Sequence, residues 1–150
     1  MSTLVKILYD VAALRAKYQR LHQAQFQLSA RTILDLVNRP KASRYEAVRV
    51  ELERLAGRLE SLRGELDKLE DGELGIRRGR EIRKALDEYI RALLDTLTTL
   101  KQLCEYQQCS NSGDRPQPRT KKQALLVTYD DAVQYQQRLG ARLNDLVANL

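Results

Sequence analysis

The sequence predicts an all-α protein, an antiparallel up-down-up-down four-helix bundle, and three observations carry that expectation. Apolar residues recur at alternating steps of three and four through four long stretches. Proline, glycine and small polar residues interrupt the pattern at three places, which divides the chain into four segments. The composition is rich in leucine, 31% charged, only 5% aromatic and free of Trp, which suits amphipathic helices better than strands. With 150 residues, 43% of them hydrophobic, the chain has the length and the apolar content of one domain. The expectation is a single helical domain over 1–150, with helices near 3–38, 44–71, 76–109 and 122–149 and a mobile loop over 110–121. The same pattern admits an alternative, a pair of long helical hairpins that becomes four-helical only on dimerisation.

In the first helix Leu4, Ile7, Val11, Leu14, Tyr18, Leu21 and Leu28 keep one seam, while Gln25 and Thr32 fall on it. Phe26, Ile33 and Val37 continue on a drifted stripe, as a straight helix drifts against a seven-residue repeat, so this helix reads as packed in a bundle rather than supercoiled. Asn38-Arg39-Pro40 closes it, because proline lacks the amide proton and clashes with the preceding turn. Ser43 with Glu46 reads as a capping box that opens the second helix. There Tyr45, Val48, Leu52, Leu55, Leu59, Leu62, Leu66 and Leu69 form the most regular seam in the chain. Acids precede bases by three residues at Glu46/Arg49, Glu51/Arg54, Glu60/Arg63 and Glu65/Lys68, which reads as a solvated outer face. Gly57 and Gly64, one heptad apart, suggest a close approach by a neighbouring backbone.

Asp71-Gly72 and Gly75 mark the next break. The third seam is Ile82, Leu86, Ile90, Leu93, Leu97, Leu100 and Cys104. The fourth is Leu125, Tyr129, Ala132, Gln136, Leu139, Leu143, Leu146 and Leu150, with Leu126, Val133 and Val147 as a second apolar line beside it.

One His and two Cys leave almost no raw material for a zinc cluster, a haem-type site or a Cys/His nucleophile pair, and no phosphate-cradling glycine loop or nucleophile elbow occurs. No cofactor is expected. Cys104 and Cys109 lie roughly 140° apart around a helix axis, too divergent for a local disulfide unless the helix ends between them. They read as reduced thiols of a cytoplasmic protein, with no membrane association. Arg15 and His22, with six residues between them, resemble the Arg/His pair of HEPN-type ribonucleases, a resemblance that implies RNA cleavage on an all-helical domain. It covers two residues, falls in the first helix rather than late in the chain, and has Ala16 where that family commonly has a polar residue. His22 reads instead as a surface or seam-edge side chain.

The net charge of +6 gathers at the connections rather than spreading evenly. In an up-down-up-down bundle Arg39, Lys41 and Arg44 share one end with Arg115, Arg119, Lys121 and Lys122, a candidate patch for a polyanion or a protein partner. A second basic cluster, Arg77, Arg78, Arg80, Arg83 and Lys84, falls at the opposite end and at a helix N-terminus, where cations oppose the macrodipole. The leading expectation is a non-enzymatic protein–protein interaction module, an adaptor, chaperone-like or scaffold subunit, with a homodimer as one form of partner. The alternative is a basic helical module that binds RNA, DNA or another polyanion through the end patch.

Overall fold

A computed structural model of the chain describes residues 3–26, 41–70, 78–111 and 119–148, with side chains over 3–23, 46–70, 78–106 and 121–148. Among the described residues there are four helices and no strand: α1 (Thr3–Phe26), α2 (Lys41–Asp67), α3 (Gly79–Asn111) and α4 (Arg119–Ala148). The expected continuation of the first helix to residue 38, and the breaks at Pro40 and at Gly72 and Gly75, lie outside the described residues.

The ends of the elements differ from the sequence reading for local reasons. α2 begins at Lys41, so Ser43 lies inside the first turn and the capping box does not open the helix. Its C-terminus passes from an α-type bond, the Lys68 amide donating to the Gly64 carbonyl at 3.3 Å, to a tighter three-residue one, the Leu69 amide donating to the Leu66 carbonyl at 3.2 Å. α3 starts at Gly79 rather than 76, after Arg78, whose φ of 60° is left-handed and non-helical. The expected loop over 110–121 is shorter at both ends, because α3 runs through Asn111 and α4 starts at Arg119, directly after Pro118 in the sequence. A proline is a natural neighbour of a helix start and a poor one of a helix interior.

Packing follows the seams. Val48, Leu52, Leu55, Leu59, Leu62, Leu66 and Leu69 are all buried, so the stripe read on α2 is its core face. α1 buries Leu4, Ile7, Val11, Leu14 and Tyr18 in the same way. α3 buries its predicted seam and a second line beside it, Ala85, Tyr89, Ala92, Thr96 and Leu103, because it packs against all three other helices. One hydrophobic core draws on all four helices, so the four-helix arrangement forms within a single chain and needs no hairpin dimerisation to complete it. Each buried Leu contributes about 1.5–3 kcal/mol relative to exposure, and the leucines of α2 and α3 supply most of that material.

Cross-helix contacts fix two directions. Glu53 of α2 meets Lys101 of α3 at 3.1 Å, and Arg63 meets Asp87 at 3.4 Å, so α2 and α3 run antiparallel. Tyr89 of α3 pairs with Gln136 of α4 and Thr96 with the Ala132 carbonyl, so α3 and α4 are antiparallel as well. The α2 face read as purely solvated therefore also ties two helices together. Within α2, Glu46/Arg49, Glu51/Arg54 at 2.7 Å and Glu60/Arg63 at 3.9 Å do pair as the spacing predicts. All are partly exposed, so water and salt screen them and they add little to stability.

The two heptad-spaced glycines play no part in close packing. A Cβ built at Gly57 or Gly64 meets nothing within 4 Å, so no neighbouring backbone approaches there. Gly57→Ala and Gly64→Ala are each expected to stabilise the fold by about 1 kcal/mol, read as a higher denaturant midpoint at unchanged slope. A lower midpoint for either would contradict the open placement. The close approach occurs at Gly140 instead, where a Cβ would stand 3.1 Å from Cε2 of Tyr89.

Candidate functional site

The two halves of the bundle are built differently. Among the described side chains α2 buries only apolar residues, whereas α4 sets buried polar-tipped residues, Tyr129 and Gln136, beside a partly buried apolar line. The buried Tyr129 hydroxyl lies 2.7 Å from the Tyr18 hydroxyl and 2.6 Å from His22 Nδ1, linking α4 to two turns of α1. His22 also stacks on Tyr129, with ring centroids 5.7 Å apart. Two turns further along α4, Gln136 Nε2 donates to the Tyr89 hydroxyl at 2.6 Å, and between them Thr96 Oγ1 donates to carbonyls on both α3 and α4, Ala92 at 2.9 Å and Ala132 at 3.3 Å. Buried polar groups are stable only when partnered, so these bonds set the register of α4 on the bundle.

Burial controls the chemistry of the cluster. It pushes the Tyr18, Tyr89 and Tyr129 hydroxyls up from the ordinary phenol value, partly offset at Tyr89 by the Arg15 guanidinium and by Gln136. Neutral hydroxyls in this state exchange hydrogen bonds and are poor bases. Burial also lowers the His22 pKa below its ordinary 6.5. The folded state therefore favours the neutral imidazole. Its contribution to stability is complete above about pH 6.5 and is lost as the pH falls through and below that value, where the unfolded chain binds the extra proton. The denaturant midpoint is expected to drop between about pH 7 and pH 5, and His22→Asn, which keeps an acceptor near Nδ1 without the titration, to flatten that drop. An equally steep profile in the variant would contradict the assignment.

The cluster opens to solvent between α1 and α4. A groove of about 330 Å³ is lined by His22, Leu126, Val127, Tyr129 and Asp130. The second apolar line of α4, Leu126, Val133 and Val147, is only partly buried against the core, and Val127 beside it is 60% exposed. Outward from that line a heptad stripe of exposed residues runs through Val127, Asp130, Gln134, Gln137, Ala141 and Asn144. On α1 the matching stripe is Val5, Leu8, Ala12, Arg15, Gln19 and His22, part exposed and part half-buried. Among these positions Arg15 and Asp130 carry the only formal charges, in contrast to the outer faces of α2 and α3.

The residues singled out by sequence fall in three places. Lys121 and Lys122 are exposed near the start of α4. The two antiparallel pairings put the starts of α2 and α4, at Lys41 and Arg119, at the same end. Arg39 and Arg115, and the side chains of Lys41, Arg44 and Arg119, lie outside the described residues. In the second cluster Arg77 also lies outside them, while Arg78, Arg80 and Lys84 are exposed. Arg83 has a structural task that the sequence reading did not foresee. It donates to the Leu69 carbonyl at 2.9 Å and the Asp67 carbonyl at 3.3 Å, capping the end of α2. A cation that opposes the dipole of its own helix here complements that of the antiparallel neighbour.

The Arg15/His22 pair lies on one face of α1, a heptad or about 10 Å apart along the axis. The two side chains serve different neighbours, Arg15 beside Tyr89 and His22 on Tyr129. Arg15 Nε is buried with no hydrogen-bond partner. No group of three His, Cys, Asp or Glu that could hold a metal occurs among the described residues. Cys104 is a buried thiol outside any disulfide, and the side chain of Cys109 lies outside the described residues.

No protein-family model, curated protein or solved structure matches this chain. Among the described residues no helix is long and apolar enough to cross a membrane. Sequence reasoning treated Tyr18, Tyr129 and Gln136 as ordinary seam residues. The available signal was their type, since polar tips recur at seam positions of the first and fourth helices while the second carries Val and Leu from residue 48 to 69.

Proposed function

We propose that the chain is a non-enzymatic helical interaction module, an adaptor, chaperone-like or scaffold subunit, that binds a protein partner along the α1/α4 seam. One observation carries this reading. The half-buried apolar line of α4 is bordered on both helices by exposed positions nearly free of charge, and depletion of charge around an apolar strip is the compositional signal of an interface core. A protein partner that lays a helix or a helix pair into this seam would complete the burial of Leu126, Val133 and Val147. The buried thiol of Cys104 supports a reducing, cytoplasmic setting for that encounter.

Photo-crosslinking tests the reading. A photoreactive residue at Gln137 should give one discrete crosslinked species, whereas the same residue at Glu65, on the charged face of α2, should give none. Equal yields from both positions, or none from either, reject the seam as the docking face. Metal-independent turnover on a broad substrate panel would remove the non-enzymatic part of the proposal.

The exposed Lys121 and Lys122, at the end where α2 and α4 begin, favour a second reading, a polyanion-binding module. Labelled RNA or DNA should then bind at low salt and dissociate as salt rises. Charge reversal at Arg115, Arg119, Lys121 and Lys122 should abolish binding. Unchanged binding after reversal, or none at low salt, rejects it.

A further inference from the structure

We infer that the occupant of the α1/α4 seam is a second copy of this chain, two complete bundles docked about a twofold axis with their seams face to face. The inference rests on the seam being a docking face and adds the identity of what docks there. A twofold contact sets a surface against itself, so a face with a net charge meets its own like charge. The chain is basic overall, at +6, yet the seam is not. Its exposed positions Ala12, Gln19, Gln134, Gln137, Ala141 and Asn144 are neutral and small or amide-bearing. Its two charges, Arg15 on α1 and Asp130 on α4, are of opposite sign and sum to zero. In an isologous contact two copies of this strip therefore present no net charge to each other. A strongly acidic or basic partner would find no complementary field here, whereas an identical neutral strip fits without repulsion.

The strip is also continuous, about 30 Å long from Val127 to Val147 at 1.5 Å per residue. Amide side chains across the strip supply donors and acceptors that pair with themselves under twofold symmetry, and the alanines let the helices approach. The dimer so formed differs from the hairpin arrangement, because each bundle is complete before it docks.

Sedimentation velocity on the full chain over a dilution series tests the inference. A reversible dimer is expected. The double variant Gln134→Glu/Ala141→Glu, which changes only exposed positions, should keep its helical circular dichroism and weaken self-association by about tenfold or more, since it sets like charges opposite each other. Asp130→Arg should weaken it too, and Glu65→Lys on α2 should leave it unchanged. A monomer at every concentration, or a dimer indifferent to the seam variants, overturns the second copy as the occupant. A monomer whose photoreactive Gln137 position still crosslinks to one discrete species overturns the second copy alone. A monomer that has lost that crosslink as well overturns the docking face.

Discussion

Leu93→Ala is expected to destabilise the protein by about 2–5 kcal/mol. Leu93 is fully buried in the middle of α3, the helix that packs against the three others. Truncation removes the transfer free energy of three carbons, and it leaves a cavity whose walls come from elements already packed on other sides. Those walls cannot collapse into it. Urea unfolding followed by circular dichroism should show a lower midpoint at an unchanged slope, because a cavity alters stability and not the surface exposed on unfolding. A loss under about 1 kcal/mol would mean that the core around α3 is not closely packed.

Tyr129→Phe is expected to cost about 1–3 kcal/mol although it removes a single oxygen. That hydroxyl is shared by Tyr18 and His22, and its loss takes one hydrogen-bond partner from each in a largely buried cluster beside the groove. The pattern of a double-mutant cycle separates this from loss of packing. Tyr18→Phe should also destabilise, but the double Phe variant should cost clearly less than the sum, since the second change removes a group that the first left without that bond. Strict additivity would show that the two hydroxyls do not act together. Burial in the same cluster accounts for the direction expected of the pH profile, because it disfavours the charged imidazolium of His22.

The core was legible in the sequence wherever periodicity alone decides burial. On α2 the alternation of three and four from Val48 to Leu69 names every residue that the structure buries there, since a helix with one neighbour-facing stripe has one solution. α3 was legible only in part. Its second buried line, Ala85, Tyr89, Ala92, Thr96 and Leu103, reflects three neighbours rather than two, and the number of neighbours is a property of the assembled bundle. The reading of Gly57 and Gly64 as packing glycines failed for the same reason, because spacing places a residue on a face without saying what lies opposite. Arg83 shows the limit most directly. Judged within its own helix it is misplaced, and only the antiparallel neighbour supplies the carbonyls that it caps.

The candidate site was legible as an irregularity. Tyr18, Tyr129 and Gln136 interrupt apolar seams on the first and fourth helices, and Leu126, Val133 and Val147 were visible as a second line on the fourth. What the sequence could not supply was their convergence, in which hydroxyls and an imidazole more than a hundred positions apart meet within hydrogen-bond distance. The low charge of the seam was likewise hidden. It emerges only when the outer stripes of α1 and α4, neither unusual alone, are set side by side.

Segment-resolved hydrogen exchange over a concentration series tests the docking seam most directly. α4 buries fewer side chains fully than α2 or α3, so its amides should exchange faster than theirs in dilute protein. Raising the concentration should slow exchange in α1 and α4 while leaving α2 and α3 unchanged, because a second copy would cover the seam and nothing else. Protection in α4 equal to that of α3 and independent of concentration would contradict the account.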